Sequence, residues 1–353
     1  MKNLLALFSL LFFTFLFISA DVFSAEPAPV STDGSINKRA DTVRIATHWQ
    51  PLSQFSGIFA AVDKGYSQKH LPNKKIEIDF PHFPERTIEK VGTGEIDFSI
   101  CGLAEALFYR ILHPDNKIVL LSQVTQTTPL MLVVHSSDGI KTPQDLNGLR
   151  VQTWRGCDVM IRHFFQRYNV SPVLVPQSSS MIPFLYRSVD VACALSHNEY
   201  HTLLEHGLTP EDIQVFKLSD FECGFPGDGI YCLEKTYLEQ PELCKGIVAA
   251  IQDGWTYAGN EANETQTLEI AAKYQREADV IASRSHQRWA LRTYKLDLTV
   301  PYGGAAANGT DVLKETDFER ILNLLKESDG INDKKNTDFP KYADFCPLNE
   351  KQR

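Results

Sequence analysis

The sequence lacks the short motifs by which several classes of enzyme are recognised. It has no Gly-x-Ser-x-Gly elbow of the hydrolases and no Gly-x-Gly-x-x-Gly or phosphate-binding loop. The stretch PYGGAAANG (301–309) is glycine-rich but follows no clear strand, so we predict a loop there. The seven cysteines include no Cys-x-x-Cys pair, so neither a zinc knuckle nor a thioredoxin-type site is indicated. Hydrolase, dinucleotide and dithiol chemistry therefore find no support.

Positive charge is also in deficit. The chain has 35 Lys and Arg against 44 Asp and Glu, a formal net charge of -9, and no basic cluster. Proteins that bind nucleic acid concentrate Lys and Arg on one face to neutralise phosphates. We therefore expect no nucleic-acid partner.

Long apolar runs are absent beyond the N-terminus. Lys2 is followed by an apolar run over residues 4–18, and Ala20 or Ala25 could end a secretory signal peptide spanning 1–25. The run is shorter than the about 20 residues that a membrane helix needs. Residues 26–40 have the composition of a disordered lead-in, so the mature protein is predicted to be soluble and exported. In an oxidising compartment some cysteines can form disulfide bonds. Because their number is odd, at least one is free or bonded to another chain, and the sequence does not show which cysteines pair.

Strand-like and helix-like segments alternate through the rest of the chain, which is typical of βαβ units. Two links interrupt them, the polar QVTQTTP (123–129) and the Gly/Pro-rich DFECGFPGDG (220–229). They divide the chain into a discontinuous lobe 1 (41–124 and 231–330), an inserted lobe 2 (125–230) and a C-terminal tail (331–353). We predict a two-lobed α/β fold, each lobe a mostly parallel sheet flanked by helices, with a cleft and a hinge at the two crossovers.

The first βα unit, TVRIATHWQPLSQFSGIFAAVDKGY (42–66), carries a candidate binding loop. A period-two strand runs into a loop with His48, Trp49 and Gln54, and a helix follows that Gly65 can end. Free backbone N–H groups at a helix N-terminus beside an aromatic ring make a natural small-molecule site. The alternative is an ordinary βα turn with a partly buried tryptophan.

Four stretches resemble the solute-binding proteins of ABC transporters for nitrate, sulfonates, taurine and thiamine-pyrimidine precursors. They are WQPLSQFSGIFAAVDKGY (49–66), TGEIDFSICGLAEAL (93–107), TTPLMLVVHSSDGIKTPQDLNGLRVQT (127–153) and PELCKGIVAAIQDGWTYAGNEANE (241–264). The resemblance implies a type 2 periplasmic-binding-protein fold, a periplasmic location and a small-molecule ligand held between the lobes. It further implies a monomer that delivers this ligand to an ABC permease, without a cofactor and without enzymatic activity. The spacing Trp49-x-Pro51 with Gly57 is most similar to the pyrimidine-precursor branch.

The resemblance also implies which residues form the ligand shell. Trp49, Gln54 and Gly102 should line one wall, and WRGCD (154–158) should face them, where Arg155 either pairs with an anion or is a solvated surface residue. Asn198 or Glu199 should supply a polar contact, and Asp228 is either a hinge residue or a cleft acid. His48 replaces an acidic residue of pyrimidine-binding relatives, and the second crossover lacks their tyrosine, so the identity of the ligand stays open. The full predicted set is His48, Trp49, Gln54, Gly102, Trp154, Arg155, Asp158, Asn198, Glu199 and Asp228.

Three other functions are compatible with parts of the sequence or with the fold that it implies. The same lobes could form a sensory receptor for a membrane signalling partner, because partner-facing surfaces have no motif. His197, His201 and Glu205 could share one helical face and bind zinc in a metal-dependent enzyme, although a solvated helix surface is the commoner meaning of such clusters. Yeast-type pyrimidine synthases share this fold, but their cysteine-rich signature is missing. We predict a binding protein with no metal.

Overall fold

Two five-stranded sheets organise the part of the chain that the structure describes. The structure is a computed structural model that describes residues 41–81, 86–154, 158–298, 312–326 and 339–348, with only the backbone of Asp158. The predicted signal peptide and lead-in lie outside these ranges. The strands are β1 (Thr42–Thr47), β2 (Lys75–Asp79), β3 (Phe98–Gly102), β4 (Ile118–Gln123), β5 (Leu130–His135), β6 (Arg150–Thr153), β7 (Val173–Pro176), β8 (Val191–Leu195), β9 (Ile213–Lys217) and β10 (Asp228–Leu233).

The strand directions confirm the mostly parallel sheets expected from the sequence, with one reversed strand in each sheet. The first sheet has the order β2-β1-β3-β10-β4 and the second β7-β6-β8-β5-β9. In each sheet the pairs at one side are parallel, whereas β10 runs antiparallel to β3 and β4, and β5 antiparallel to β8 and β9. These are the strands that follow the two links. A chain that changes sheets through a short link has no helical crossover to make it parallel.

The helices connect and cover these strands. They are α1 (Ser56–Asp63), α2 (Tyr66–His70), α3 (Thr87–Gly92), α4 (Leu103–Leu112), α5 (Asp158–Arg167), α6 (Ile182–Leu185), α7 (Glu199–Glu205), α8 (Glu234–Glu239), α9 (Pro241–Gly259), α10 (Glu264–Glu277), α11 (Arg284–Tyr294), α12 (Glu315–Lys326) and α13 (Tyr342–Phe345). Pro241 occupies the first turn of α9, where its missing N–H costs nothing. Within the described ranges, no helix has the length and apolar character needed to span a bilayer.

Each sheet is packed on both faces. In β1, Val43 and Ile45 enter one core of the first sheet, and Ala46 enters the core on the opposite face, as the period of two requires. The predicted C-terminal tail also contributes to the second of these cores, through Tyr342 and Phe345. The second sheet has two cores of its own.

The strands of the two sheets come from the two predicted lobes with one shift. The first sheet takes its last strand from Asp228 onward, before the position 231 at which lobe 1 was expected to resume. The boundaries themselves stay predictions. Six cysteines are described, each a buried free thiol, and Cys157 lies outside the described residues.

Helices α1 and α9 pack with their backbones in direct contact. A Cβ atom at Gly254 would lie 2.0 Å from the carbonyl oxygen of Gly57 and 2.8 Å from the backbone nitrogen of Ala61. Only glycine fits there. This contact fixes α1, and with it the loop that precedes α1, against the first sheet.

Candidate functional site

The loop after β1 lies at the carboxyl end of the first sheet, beside the end of β3. The backbone N–H of His48 donates to the carbonyl oxygen of Ile100 (3.0 Å), and the hydroxyl of Thr47 donates to the carbonyl oxygen of Trp49 (2.8 Å). Farther along, the backbone N–H of Ser53 donates to the side-chain oxygen of Gln287 on α11 (2.8 Å). The loop is therefore held from two sides, by β3 and by α11.

Asp228, the first residue of β10, is a centre of hydrogen bonding beside this loop. The hydroxyl of Tyr294 donates to Asp228 Oδ2 at 2.6 Å, and the Asp228 backbone N–H donates to Thr125 Oγ1 at 2.9 Å. The other carboxylate oxygen, Oδ1, lies 3.7 Å from His48 Nδ1. Burial, and then the neighbouring Asp228, raise the pKa of Tyr294, so its phenol remains a hydrogen-bond donor. The two interpretations from the sequence, a hinge residue and a cleft acid, both stay predictions.

Gln54 connects His48 to the second sheet. Its amide nitrogen lies 3.4 Å from His48 Nε2, and its oxygen lies 3.2 Å from Nε2 of His197, which follows β8. Because the amide nitrogen can only donate and the amide oxygen can only accept, His48 carries its proton on Nδ1 and His197 on Nε2. The ring of His197 also meets the ring of Tyr294 edge to face, at a centroid distance of 5.3 Å.

We name His48, Gln54, His197, Asp228 and Tyr294 the junction network. Its members come from the loop after β1, the loop after β8, the start of β10 and the end of α11. The network thus joins segments of both sheets. It contains one buried polar atom without a partner among the described residues, Nδ1 of His197. By the tautomer above, this nitrogen is a bare acceptor.

Gly102 borders the junction network at the end of β3. It is the register partner of Asp228 and the N-cap of α4, and no atom lies within 4 Å of the position that a Cβ would take. Glu105 stands in the first turn of α4. Burial raises the pKa of Glu105, whereas the nearby His48 and Arg86 act to lower it. Gly102 therefore combines open space with polar neighbours, and its place in a ligand wall stays a prediction.

The other predicted residues have contacts of their own. Trp154 is half-buried at the end of β6 and donates from Nε1 to the carbonyl oxygen of Ser178 (3.3 Å). Glu199 accepts from the Leu195 backbone N–H (3.0 Å) and from Asn198 Nδ2 (2.9 Å), and burial raises its pKa to about 7. Arg155 and the side chain of Asp158 lie outside the described residues.

Asn198 and Glu199 therefore already have protein partners, and their predicted ligand contacts stay predictions, as does the ligand contact of half-buried Trp49. Tyr294, which lies far from the other members along the chain, and Glu105 are not among the residues predicted from the sequence. An aromatic residue on the apolar side of a helix carries no signal of such a role.

The prediction that His197, His201 and Glu205 share one helical face is wrong. The helix α7 begins at Glu199, so His197 precedes it and its ring turns to Gln54 instead. His201 and Glu205 do share a side of α7, but it faces His286 of α11. The spacing rule failed because it assumed that the helix began before His197.

A pH-dependent stability follows from the burial of His197. Burial lowers its pKa from 6.5 to about 4, with His48 and His286 acting in the same direction and Asp228 opposing them. The unfolded chain therefore binds more protons between these values, and the contribution of His197 to stability is present above pH 6.5 and lost as the pH falls toward 4. We expect His197 to account for a loss of about 2 kcal/mol between pH 7 and pH 5.

Urea denaturation of the wild type and of His197→Gln at pH 7, 6 and 5 measures this loss. The glutamine amide can still donate to Gln54 but does not titrate, so the variant should lose less stability across that range. His206→Gln, at an exposed histidine directly after α7, should behave like the wild type. Equal pH dependence in all three proteins would show that His197 is not responsible.

Comparisons with known proteins show what this chain is similar to. A family model described as NMT1/THI5 like matches residues 52–265. The periplasmic aliphatic sulphonate binding protein SsuA from Escherichia coli is 17% identical, with a TM-score of 0.58 over 71% of this chain and 84% of that chain. The alkanesulfonate-binding protein SsuA from Xanthomonas axonopodis pv. citri is 14% identical, with a TM-score of 0.56 over 81% of this chain and 90% of that one.

An ABC transporter structure from Parabacteroides distasonis is similar in the same way. It is 13% identical, with a TM-score of 0.57 over 87% of this chain and 98% of that chain. None of the curated proteins matches. At these identities the likeness concerns the fold, and it confirms the predicted two-lobed α/β class. None of the three structures is described as an enzyme.

Proposed function

Because this chain belongs to the NMT1/THI5-like family, we propose that it is a periplasmic solute-binding protein. It captures a small polar organic or anionic ligand between its two sheets and delivers that ligand to an ABC importer. The resemblance expected from the sequence is confirmed at the level of the family and the fold. The ligand, the importer and the export signal belong to the proposal.

The observation that carries the proposal is the junction network. It brings two imidazoles, an amide, a carboxylate and a phenol together from segments of both sheets, next to the open space at Gly102. Binding sites in α/β proteins lie where loops converge at the carboxyl ends of strands, with a few convergent polar groups. A ligand that contacts groups of both sheets favours the arrangement in which the sheets are close together, by its differential affinity for that state.

The chemistry of the network favours one ligand class over another. The carboxylate of Asp228 and the bare Nδ1 of His197 are acceptors. Acceptors match a ligand with ring or amino N–H groups, such as a thiamine-pyrimidine precursor, better than a bare sulfonate or nitrate. An anion would instead need a cation, and Arg155 is the residue that the resemblance suggests for it.

A thermal-shift panel of thiamine-pyrimidine precursors, other pyrimidines, sulfonates and nitrate tests the proposal. A bound ligand at 100 times its Kd should add about 2.7 kcal/mol to the free energy of unfolding. If Trp49 stacks on the ligand, Trp49→Ala should abolish this stabilisation while the unliganded variant stays folded. The matched control is Tyr186→Ala, which removes an exposed aromatic ring in the second lobe.

Each outcome decides a separate point. If no member of the panel shifts the melting curve, transport of these ligand classes is contradicted. If a ligand shifts Trp49→Ala as much as the wild type, Trp49 belongs to the core and not to the ligand wall. A permease and an ATPase encoded beside this chain would support delivery to an importer.

A further inference from the structure

Two histidines and a glutamate converge away from the junction network, between α7 and α11. The Nδ1 atoms of His201 and His286 are 3.0 Å apart, and Glu205 Oε2 lies 3.4 Å from His286 Nδ1 and 3.9 Å from His201 Nδ1. Ligand atoms bound tetrahedrally to one Zn²⁺ at about 2.0–2.2 Å stand roughly 3.3 Å from each other. The three distances bracket that spacing.

Hydrogen bonds from neighbouring side chains orient His286 and Glu205 so that potential ligand atoms face the centre of the cluster. Asn198 Oδ1 lies 2.9 Å from His286 Nε2, so this nitrogen carries the proton and Nδ1 presents its lone pair to the cluster. Glu205 Oε1 accepts from the hydroxyls of Ser283 (3.1 Å) and Ser285 (3.0 Å), which leaves Oε2 directed at the imidazoles. Outer partners of this kind orient ligands in metal sites.

The ring of His201 is fixed by packing. It stacks on the indole of Trp289 at a centroid distance of 4.7 Å and an interplanar angle of 23°. The indole nitrogen of Trp289 in turn donates to the carbonyl oxygen of Ser196 (2.8 Å), so the ring on which His201 stacks is itself held in place. All three ligand side chains are therefore held before any ion arrives, which lowers the cost of ordering them.

Hydrogen bonds among the three residues leave one contact unexplained. With the proton of His286 on Nε2, its Nδ1 and the carboxylate oxygen of Glu205 are both acceptors, and they face each other at 3.4 Å. The single proton of His201 Nδ1 cannot satisfy both. A divalent cation between the three atoms would satisfy all of them.

We propose that His201, Glu205 and His286 form a binding site for Zn²⁺ that fastens α7 to α11. Two imidazole nitrogens and one carboxylate oxygen are a donor set that suits Zn²⁺, with a water in the fourth position. Glu205 is exposed, whereas His286 is buried, so an ion has an entry path from solvent. The site differs from the face considered in the sequence, because His286 replaces His197.

The position of the site explains what an ion would do. Helix α7 follows β8 of the second sheet, whereas α11 holds the loop after β1 of the first sheet through Gln287. An ion bound by both helices therefore holds the two sheets' elements together. This consequence does not depend on the identity of the solute.

The experiment is a titration of chelator-treated, tag-free mature protein with ZnCl₂, followed by calorimetry and by the melting temperature. We expect one Zn²⁺ per chain and a higher melting temperature. His201→Gln and Glu205→Gln should each weaken binding by about 100-fold or more, and Asn198→Ala, which removes the orienting partner of His286 but no ligand atom, by about 10- to 100-fold. X-ray absorption of the loaded protein should show nitrogen and oxygen neighbours only.

The matched control is His206→Gln, which removes an exposed histidine next to Glu205 whose Nδ1 already donates to the carbonyl oxygen of Thr202 (2.7 Å). It should bind Zn²⁺ like the wild type. Melting curves of the metal-free variants show whether each is folded. The proposal is overturned if the wild type binds no stoichiometric Zn²⁺, if folded His201→Gln and Glu205→Gln bind it undiminished, or if His206→Gln weakens binding equally.

Discussion

Gly254→Ala should lower the free energy of unfolding by about 3 kcal/mol. Alanine favours a helix over glycine by about 1 kcal/mol, so propensity alone predicts a stabilised protein. A steric clash outweighs this propensity and makes the substitution destabilising, because the added methyl would lie 2.0 Å from the carbonyl oxygen of Gly57 and 2.8 Å from the nitrogen of Ala61. These are backbone atoms that cannot rotate away, so α1 and α9 must separate and unpack Ile58 and Ile251 from their shared core.

Urea denaturation of the two proteins measures the effect. Gly102→Ala is the matched control: it adds the same methyl where no atom lies within 4 Å, at a residue with a φ of -70°. Its stability should change by less than about 1 kcal/mol, mostly through the weaker N-cap. A Gly254→Ala variant as stable as the wild type would show that α1 and α9 are farther apart than described.

Tyr294→Phe should cost about 2 kcal/mol, the second largest effect that we expect. The phenylalanine ring keeps the stacking on Trp255 and the edge contact with His197, so only the hydroxyl is lost. That hydroxyl donates to Asp228 Oδ2 at 2.6 Å in a buried setting, and hydrogen bonds to charged groups contribute about 1.5–3 kcal/mol. The change should also loosen the junction network and weaken ligand binding.

A double-mutant cycle with Asp228→Ala, which removes both carboxylate oxygens, isolates the pair. If the two residues interact as described, the losses of the single variants should add to clearly more than the loss of the double variant. Tyr186→Phe removes a hydroxyl from a side chain that is 79% exposed and should leave stability unchanged. Strict additivity would contradict the hydrogen bond between Tyr294 and Asp228.

The sequence predicts local structure well where its periodicity is clear. The strand of β1 and the helix α1 lie within the predicted βα unit, and Gly65 follows α1 with a φ of 77°, as a helix-ending glycine does. The sequence also places His48, Gln54 and Asp228 among the candidate ligand residues. It does so through a family resemblance and not through any pairing visible in the chain itself.

The rest depends on contacts between distant residues, which periodicity does not encode. Gln54 and His197 are 143 positions apart, and Asp228 and Tyr294 are 66 positions apart. The direction of β10 is equally invisible, because an alternating strand reads the same whether its neighbours are parallel or antiparallel. His286 could not be associated with His201 for the same reason, because 85 positions separate them.

The position of β10 has a consequence for the order in which the chain acquires its structure. Strand β10 lies between β3 and β4, so these two strands do not pair with each other. They can join one sheet only after residues 228–233 have been synthesised. As the chain emerges from the ribosome, the first sheet stays divided until the whole second sheet has been made. Native pairings of such long sequence separation form slowly. For the export that we propose, this delay would be an advantage, because a chain that is still unfolded can be carried across a membrane.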